Sequence, residues 1–251
     1  MSILRLCLLA AIASSVAAVP SGVTVKTSRG SCDLHVYPPA EVKADSKPII
    51  LLVSGEGGWR RFDILLAGAL AGDGYWVGGI DAKQYFWNAQ DDRQALADDF
   101  RLYAKALADV AGRPAGAPLI LAGFSFGADL APWIAGAGGW NGRIGGMVML
   151  GPDETGSLEF RFSELLGFDP KDHTFPVADA LRSASGIPAL FIHGGKDAGS
   201  AAPALLARTA EPKKLIVVPG ADHHFSGREE GLRAALHEGM EWILLSGRTA
   251  P

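Results

Sequence analysis

The sequence predicts an α/β fold, in which helices cover both faces of a mostly parallel, doubly wound sheet of eight strands. The first observation is a series of short, nearly continuous apolar runs, which is typical of parallel strands buried on both faces. The second is that segments with helical spacing alternate with these runs, as crossover connections require. The third is a pair of alternating segments ahead of the series, which indicates two antiparallel strands.

The elements are expected in a regular order along the chain. The alternating segments 23–27 and 32–37 predict an antiparallel pair, which Pro38 and Pro39 end. The buried strands are expected at 48–53, 75–80, 118–122, 144–150, 188–192 and 214–218. Helices are expected at 60–71, 91–111, 126–137, 178–185, 201–209 and 230–245. Two antiparallel strands followed by six parallel ones is the strand order of the α/β-hydrolase fold.

The fifth predicted strand runs into a sharp turn and then a helix. The turn reads Gly123-Phe124-Ser125-Phe126-Gly127 and so fits the G-x-S-x-G pattern of a nucleophile elbow. Glycines on either side of the serine remove the Cβ atoms that would clash where strand and helix crowd together. Ser125 is therefore the predicted nucleophile, held out at the carboxyl edge of the sheet.

A serine hydroxyl needs a neighbouring base, and the base needs a carboxylate that orients it. In an α/β hydrolase these follow in the order serine, acid, histidine, each after a strand. Asp197 follows the strand expected at 188–192 and is the predicted acid. Asp153, which follows the strand expected at 144–150, is its rival.

Two adjacent histidines compete for the role of base. His223 and His224 both follow the strand expected at 214–218. The spacing G-x-x-H-x-F, which ends at Phe225, favours His223 as the base. His224 is then a substrate contact or a neighbour with a structural role.

Acyl transfer also needs N–H donors that face the oxyanion. One predicted donor is the backbone N–H of Phe126, directly after the nucleophile. The second is expected in the glycine-rich loop 54–59, from the N–H of Glu56. A plain glycine-rich turn that leads into the next helix is the alternative interpretation of this loop.

The first residues have the pattern of an export signal. Arg5 precedes the apolar run 6–12, and small residues lead up to Ala18, as a signal peptidase requires. Removal of residues 1–18 is therefore expected, and 19–251 are expected to form one periplasmic domain. The apolar run is too short for a confident membrane span.

Charge and motif content limit the partners. The formal net charge is −4, and no basic cluster is longer than Arg60-Arg61 or Lys213-Lys214, so no nucleic-acid partner is predicted. No group of His, Cys and carboxylate residues has the spacing of metal ligands, so neither a metal nor another cofactor is predicted. The chain is predicted to be a monomer.

Five sequence elements together point to a known family. They are Ser-Gly-Glu-Gly-Gly-Trp at 54–59, Tyr-Phe-Trp at 85–87, Gly-Phe-Ser-Phe-Gly-Ala-Asp at 123–129, Phe-Arg-Phe at 160–162, and the segment 219–225. With these elements the chain resembles the VirJ/AcvB family of virulence-associated periplasmic α/β hydrolases. The resemblance implies hydrolysis of aminoacyl-phosphatidylglycerol, chiefly lysyl-phosphatidylglycerol, at the periplasmic side of the membrane.

A site for such a lipid should combine carboxylates for the ammonium groups with an apolar lip. The candidate carboxylates are Glu56, Asp129, Asp153 and Glu154. The candidate aromatic contacts are Trp59, Tyr85, Phe86 and Trp87. Asp129 has an alternative role in bonding neighbouring loops, and the aromatic triplet 85–87 has an alternative place in the core. A cap over the site is expected at 153–178 from its position in the chain.

Two rival functions remain open from the sequence. A general carboxylesterase or lipase-like hydrolase would act on soluble esters without preference for a cationic acyl group. A non-enzymatic periplasmic adaptor with a secretion-system partner is also suggested by the family resemblance. The complete set of Ser125, Asp197 and His223 argues against the adaptor.

Overall fold

Ten strands and seven helices follow one another along the residues that the computed structural model describes, which are 21–40, 47–160 and 172–247. The strands are β1 (Ser21–Thr27), β2 (Gly30–Tyr37), β3 (Ile49–Val53), β4 (Val77–Ile80), β5 (Leu119–Phe124), β6 (Ile144–Leu150), β7 (Thr155–Ser157), β8 (Thr174–Pro176), β9 (Ala189–Gly194) and β10 (Lys213–Val218). The helices are α1 (Arg61–Gly72), α2 (Ala82–Tyr85), α3 (Arg93–Val110), α4 (Phe126–Ala135), α5 (Val177–Ser183), α6 (Ala202–Arg208) and α7 (Glu229–Ser246).

Eight of these strands form one sheet in the order β1-β2-β4-β3-β5-β6-β9-β10. β1 pairs antiparallel with β2, and β2 pairs antiparallel with β4. All later neighbours in the sheet are parallel. The predicted α/β-hydrolase fold is confirmed, with the antiparallel pair at one edge and the elbow after β5.

Helices cover both faces of the sheet, and each face has its own apolar core. One core joins α1 and α7 to side chains such as Ile50 and Leu190. The other joins α3, α4, α5 and α6 to the opposite side chains of the same strands, such as Leu51 and Phe191. Because the central strands are buried on both faces, their carboxyl ends are fixed relative to one another, and the loops that follow them start from a rigid edge.

Two features were not predicted from the sequence. α2 follows β4 directly and has four residues, too few to show helical periodicity; the side chain of Asp81 accepts a hydrogen bond from Gln84 N and begins it. β7 and β8 have three residues each and pair antiparallel. They lie within the region expected to form a cap, of which 161–171 lie outside the described residues. The predicted export signal, 1–18, also lies outside them.

No helix in the described part of the chain is both long and apolar enough to cross a membrane. The two longest, α3 and α7, have 18 residues each, and both carry charged side chains along their length.

Candidate active site

The turn between β5 and α4 holds Ser125 in a backbone conformation that few residues adopt. Its φ is 50° and its ψ is −119°, and its N–H donates to Leu150 O at 2.9 Å. A Cβ on Gly123 would lie 2.0 Å from Gly127 O, and a Cβ on Gly127 would lie 2.3 Å from Val53 O. Only glycine fits at both positions, so the motif supplies the close packing that holds this strained turn.

His223 and Asp197 meet at the same edge, from the loops after β10 and β9. His223 Nδ1 lies 2.7 Å from Asp197 Oδ2, and Asp197 is buried with 8% of its surface exposed. Ser200 N donates to the other carboxylate oxygen of Asp197 at 3.2 Å. With its Nδ1–H donating to the carboxylate, the imidazole presents Nε2 as a proton acceptor.

The structure separates the competing candidates by their contacts. The ring of His224 packs against the rings of Phe62 and Phe124, with centroids 6.2 and 5.5 Å away, and the hydrogen bond to Asp197 belongs to His223. Asp153 is exposed, and its carboxylate acts on His223 through space rather than through a hydrogen bond. The geometry therefore favours Asp197 and His223 as the acid and base.

Ser125, His223 and His224 line one cleft of about 380 Å³ at the carboxyl edge of the sheet. Its other lining residues are Gly55, Glu56, Gly57, Gly58, Arg60, Phe62, Asp63, Lys83, Phe124 and Phe160. Within the described chain Ser125 Oγ makes no hydrogen bond; in free enzymes the contact from serine to histidine is often long and tightens on binding. A larger cavity of about 820 Å³ lies at the opposite edge, beside the amino ends of β3, β5 and β6. We place the site in the smaller cleft, because ligands of parallel α/β sheets bind beyond the carboxyl ends of the strands.

The glycine-rich loop after β3 forms one wall of this cleft. Its Gly58 has a φ of +79°, and a Cβ there would lie 2.8 Å from Asp81 Oδ1. Ser54 anchors the start of the loop, because its Oγ accepts a hydrogen bond from Ala82 N at 3.0 Å. In the described structure the N–H groups of Glu56 and Phe126 make no backbone hydrogen bond. Both remain available to an oxyanion.

None of the four predicted aromatic contacts is itself a lining residue of the cleft. Tyr85 and Phe86 are 1% and 0% exposed, so their assignment to an apolar lip is wrong, and they belong to the core. The hydroxyl of Tyr85 donates to Asp99 at 2.5 Å, which satisfies its polar atom inside that core. Trp59 lies against the sheet, stacked on His35 at 5.1 Å, and is not a substrate contact. Trp87 is 60% exposed and stacks on Phe160, which does line the cleft.

Of the carboxylates predicted to bind the substrate, some lie at the cleft and others do not. Glu56 lines the cleft, and Glu154 lies outside it, 3.9 Å from Arg208. Asp129 is buried, and its Oδ1 accepts a hydrogen bond from Asp153 N at 2.9 Å. Its assignment to substrate is wrong, because it holds the loop after β6 instead, which is the alternative role. Burial raises the pKa of Asp129 well above its usual range.

The hydrogen bond from the backbone N–H of Asp153 to Asp129 fixes Asp153 in the loop after β6, where its carboxyl interacts with His223. Partial desolvation raises the pKa of its carboxyl, the attraction of His223 opposes this, and repulsion from Asp197 and Glu56 adds to it. These effects place Glu56 and His223 each within electrostatic reach of Asp153. Glu56 lines the cleft, and Asp153 adds a second negative charge near it without lining the cleft itself.

Several cleft residues were missed from the sequence, and Asp63 is the most buried of them. It has 3% of its surface exposed; its Oδ2 accepts from Arg60 N at 2.9 Å, and its Oδ1 has no hydrogen-bond partner in the described structure. Burial raises the pKa of Asp63 to about 6. The signal that could have found it is an acidic residue in the first turn of the helix after a glycine-rich loop.

The raised pKa of Asp63 predicts a measurable pH dependence of stability. Between the unfolded value of 3.8 and about 6, the folded state binds more protons than the unfolded state, so the free energy of unfolding falls as pH rises. From about pH 4 to pH 7, Asp63→Asn should therefore gain about 2 kcal/mol over the wild type in urea unfolding. The exposed control Asp109→Asn should show no such trend. If the free energy of unfolding of Asp63→Asn followed that of the wild type in parallel across this pH range, the carboxyl of Asp63 would not be desolvated in the fold.

Gly151, at the end of β6, provides a test of the histidine's position. Its φ is +57°, and a Cβ there would lie 2.9 Å from His223 Cε1 and 3.1 Å from Nδ1. We expect Gly151→Ala to lower kcat/KM for an ester at least about 100-fold, because it displaces the imidazole. Gly142→Ala is the matched control, since Gly142 has a φ of +71° with no atom near the added Cβ. Both should lose about 1 kcal/mol of stability, and equal activity in the two variants would show that His223 is not so constrained.

Comparison with known proteins identifies a family that the sequence matches and solved structures with a similar fold. The sequence model of the family described as "Bacterial virulence protein (VirJ)" matches residues 47–243. No curated protein sequence matches the chain.

Several solved structures resemble the chain in fold. An α/β serine hydrolase without a lid from Xanthomonas campestris is similar with 21% identity and a TM-score of 0.59, over 89% of this chain and 94% of that one. A dienelactone hydrolase from Anabaena variabilis is similar with 18% identity and a TM-score of 0.65, over 89% and 97% of the two chains. The protein Est1E from Butyrivibrio proteoclasticus is similar with 15% identity and a TM-score of 0.63, over 89% and 99%.

Proposed function

The chain belongs to the VirJ family of bacterial virulence proteins, and from this premise we propose that it is an exported serine hydrolase of aminoacyl-phosphatidylglycerol, with lysyl-phosphatidylglycerol as its main substrate. The observation that carries the proposal is the position of Ser125 on a strained elbow, in one cleft with His223, which is hydrogen-bonded to Asp197. The family and the α/β-hydrolase fold both support a hydrolase. The aminoacyl ester and the export are the further steps of the proposal.

In the first half-reaction, Ser125 Oγ attacks the carbonyl carbon of the aminoacyl ester, and its proton passes to His223 Nε2. The N–H groups of Phe126 and Glu56 bind the oxyanion that forms. When the tetrahedral intermediate collapses, the bond to the glycerol oxygen breaks and that oxygen takes the proton from His223. Phosphatidylglycerol leaves, and the amino acid stays as an ester on Ser125.

In the second half-reaction, water attacks the same carbonyl carbon and gives one proton to His223. The intermediate then releases the free amino acid, and the proton returns to Ser125 Oγ. Asp197 keeps the imidazole in one tautomer through both halves and stabilises its charged form. The proposal is supported by the lining of the cleft, which includes Ser125, His223 and Glu56, and by the hydrogen bond between His223 and Asp197.

The charges of the cleft support a cationic acyl group. Glu56 lines the cleft and forms no ion pair within the described chain, and Asp153 lies close enough to Glu56 for their charges to interact. Two carboxylates beside the reacting serine would bind the ammonium groups of a lysyl ester and disfavour an anionic acyl group. His224 lines the same space and would contact the acyl chain.

The proposed substrate also requires a location. The export pattern in residues 1–18 would place the enzyme in the periplasm, where it would meet the lipid at the surface of the inner membrane. There Trp87, which is exposed and stacked on the cleft residue Phe160, would contact the interfacial region of the bilayer. A partner from a secretion pathway stays a separate proposal, which the family's association with virulence supports.

A general esterase of soluble substrates is the second candidate, and the similarity to dienelactone hydrolases and esterases in fold supports it. The two candidates differ in their response to the acyl charge. The esterase should hydrolyse neutral short-chain esters as fast as lysyl esters, whereas the aminoacyl-lipid hydrolase should prefer the lysyl ester.

The test is the release of free lysine from vesicles that contain lysyl-phosphatidylglycerol, with the purified protein lacking residues 1–18. Release should be at least about tenfold faster than hydrolysis of a matched neutral acyl ester, which is the discrimination expected from one charge-assisted contact. Glu56→Gln should remove much of that preference and leave hydrolysis of the neutral ester unchanged within about twofold. Equal rates on both esters would favour the general esterase instead.

A further inference from the structure

Two basic side chains line the candidate cleft, and the reaction steps above use neither of them. Arg60 immediately precedes α1, in the loop that follows β3, and Lys83 lies on α2, which follows β4. Both belong to the lining that includes Ser125 and His223. They were not predicted as functional residues, because a single arginine before a helix and a single lysine within one resemble ordinary surface residues.

Neither cation is neutralised by a carboxylate within the described chain. Arg60 is exposed, and its Nε donates to Gly57 O at 2.9 Å, which leaves the terminal guanidinium nitrogens free for a ligand. Lys83 is half-buried, with its Nζ 4.9 Å from the centre of the Phe160 ring. An ammonium held against an aromatic ring and an unpaired guanidinium in one cleft are suited to an anion.

The order of the strands separates these cations from Asp153, whereas Glu56 lies in the same loop after β3 as Arg60. β4 and β3, which lead to Lys83 and Arg60, lie on one side of β5 and its Ser125. β6, which leads to Asp153, lies on the other side. Since neighbouring strands are about 4.8 Å apart, the start of α2 lies roughly 10 Å from the elbow across the sheet. A lysine side chain that points back into the cleft shortens this separation.

We propose that Lys83 and Arg60 form an anion subsite, which binds the phosphodiester in the alcohol part of the ester substrate. The proposal rests on the proposed function and names how the same site recognises its lipid. In aminoacyl-phosphatidylglycerol the phosphorus is six bonds from the ester carbonyl carbon, about 7 Å in an extended chain. That reach matches a phosphate held on the β3 and β4 side while the carbonyl lies at Ser125.

This subsite explains how one cleft accepts a substrate with charges of both signs. The ammonium groups belong to the acyl part and the phosphate belongs to the leaving alcohol. Asp153, after β6, would meet an ammonium group on one side of the serine, and Lys83, after β4, would meet the phosphate on the other. The phosphate does not change charge during acyl transfer. Its contacts should therefore act on binding in the ground and transition states alike, and their loss should raise KM more than it lowers kcat.

The first experiment compares a phosphate-containing ester with a phosphate-free one. A short-chain, water-soluble lysyl-phosphatidylglycerol removes any effect of vesicle charge, and lysine ethyl ester keeps the acyl group without the phosphate. We expect Lys83→Gln to raise KM for the lipid about tenfold, with kcat within about twofold and the ethyl ester unaffected. Arg60→Gln should behave similarly, and an unchanged rate on the ethyl ester would show that its loop is intact.

Two variants serve as matched controls. Arg61→Gln removes the same charge one residue further along, outside the cleft lining, and Lys26→Gln does so on the distant edge strand β1. Neither should change KM for either ester by more than about twofold. An equal loss for Arg60→Gln and Arg61→Gln, or an equal loss on both esters for Lys83→Gln, would overturn the subsite.

The second experiment does not depend on the identity of the physiological substrate. A neutral fluorophosphonate labels the reactive serine, and glycerophosphoglycerol is added as a soluble phosphodiester. The diester should slow labelling of the wild type and of Lys26→Gln, but protect Lys83→Gln at least about tenfold less well. Protection without any turnover of lysyl-phosphatidylglycerol would support the subsite while refuting the proposed function. No protection of the wild type, or protection by inorganic phosphate and not by the diester, would overturn the subsite.

Discussion

Replacing Ser125 with alanine should lower kcat for lysyl-phosphatidylglycerol at least about 10⁴-fold, the largest effect expected of any substitution in this protein. The reason is that Ser125 is the one hydroxyl residue in the turn Gly123–Gly127 that leads into α4. Binding should survive, because the carboxylates and the cations of the cleft stay in place. The measurement is lysine release under single-turnover conditions, together with the equilibrium binding of the substrate.

The fold must be shown to survive that change. Ser125 N donates to Leu150 O through the backbone, a bond that alanine keeps, so the melting temperature should move by no more than a few degrees. Ser31→Ala, at an exposed position in β2, is the matched control and should keep full activity. A Ser125→Ala protein that is folded and still releases lysine at the wild-type rate would exclude the proposed nucleophile.

His223→Ala should lower kcat by a similar factor, at least about 10⁴-fold, because the base and the serine act as one unit. His224→Ala should cost no more than about tenfold, since that ring packs against Phe62 and Phe124. The loss of kcat in Asp197→Asn should be close to that in His223→Ala, because an amide would favour the wrong imidazole tautomer. Fluorophosphonate labelling of Ser125 in each variant checks the same ranking without the lipid.

The reverse ranking of the two histidines would contradict the geometry of the hydrogen bond between His223 and Asp197. A double variant of Ser125 and His223 separates the base from an indirect effect on the fold. If the two residues act together, the double variant should be no slower than either single one within about tenfold. Additive losses would instead indicate that His223 works outside the serine mechanism.

Asp129 and Gly151 show how residues outside the proposed catalytic set position the candidate site. Gly151 leaves the space in which His223 and Asp197 meet, and Asp129 holds the loop that follows it through Asp153 N. Asp129 lies on α4, the helix that starts at the nucleophile, so one helix fixes both the elbow and the neighbouring loop. The site is therefore built on rigid elements, and its precision comes from backbone contacts as well as from the reacting side chains.

The sequence by itself was sufficient for the strand order, the elbow at Ser125 and the chain order of Asp197 and His223. Apolar runs bounded by turn residues specify buried parallel strands, and functional groups of such sheets follow the carboxyl ends of those strands. Both signals are local in the chain and can be read without contacts. The short helix α2 and the strands β7 and β8 were not predicted, because three or four residues are too few to show periodicity.

Only the tertiary structure decided which side chains face the cleft. Tyr85 and Lys83 lie two residues apart on the same short helix, yet one is buried against Asp99 and the other lines the cleft beside Arg60. Their directions depend on how α2 rests against α3 and on the neighbouring loop from β3, which are contacts between segments distant in the chain. The same crossover packing brings His223, rather than His224, to Asp197. The sequence thus determined which reactive residue types follow the strands at this edge of the sheet. Packing determined which of their side chains line the cleft or bond to one another.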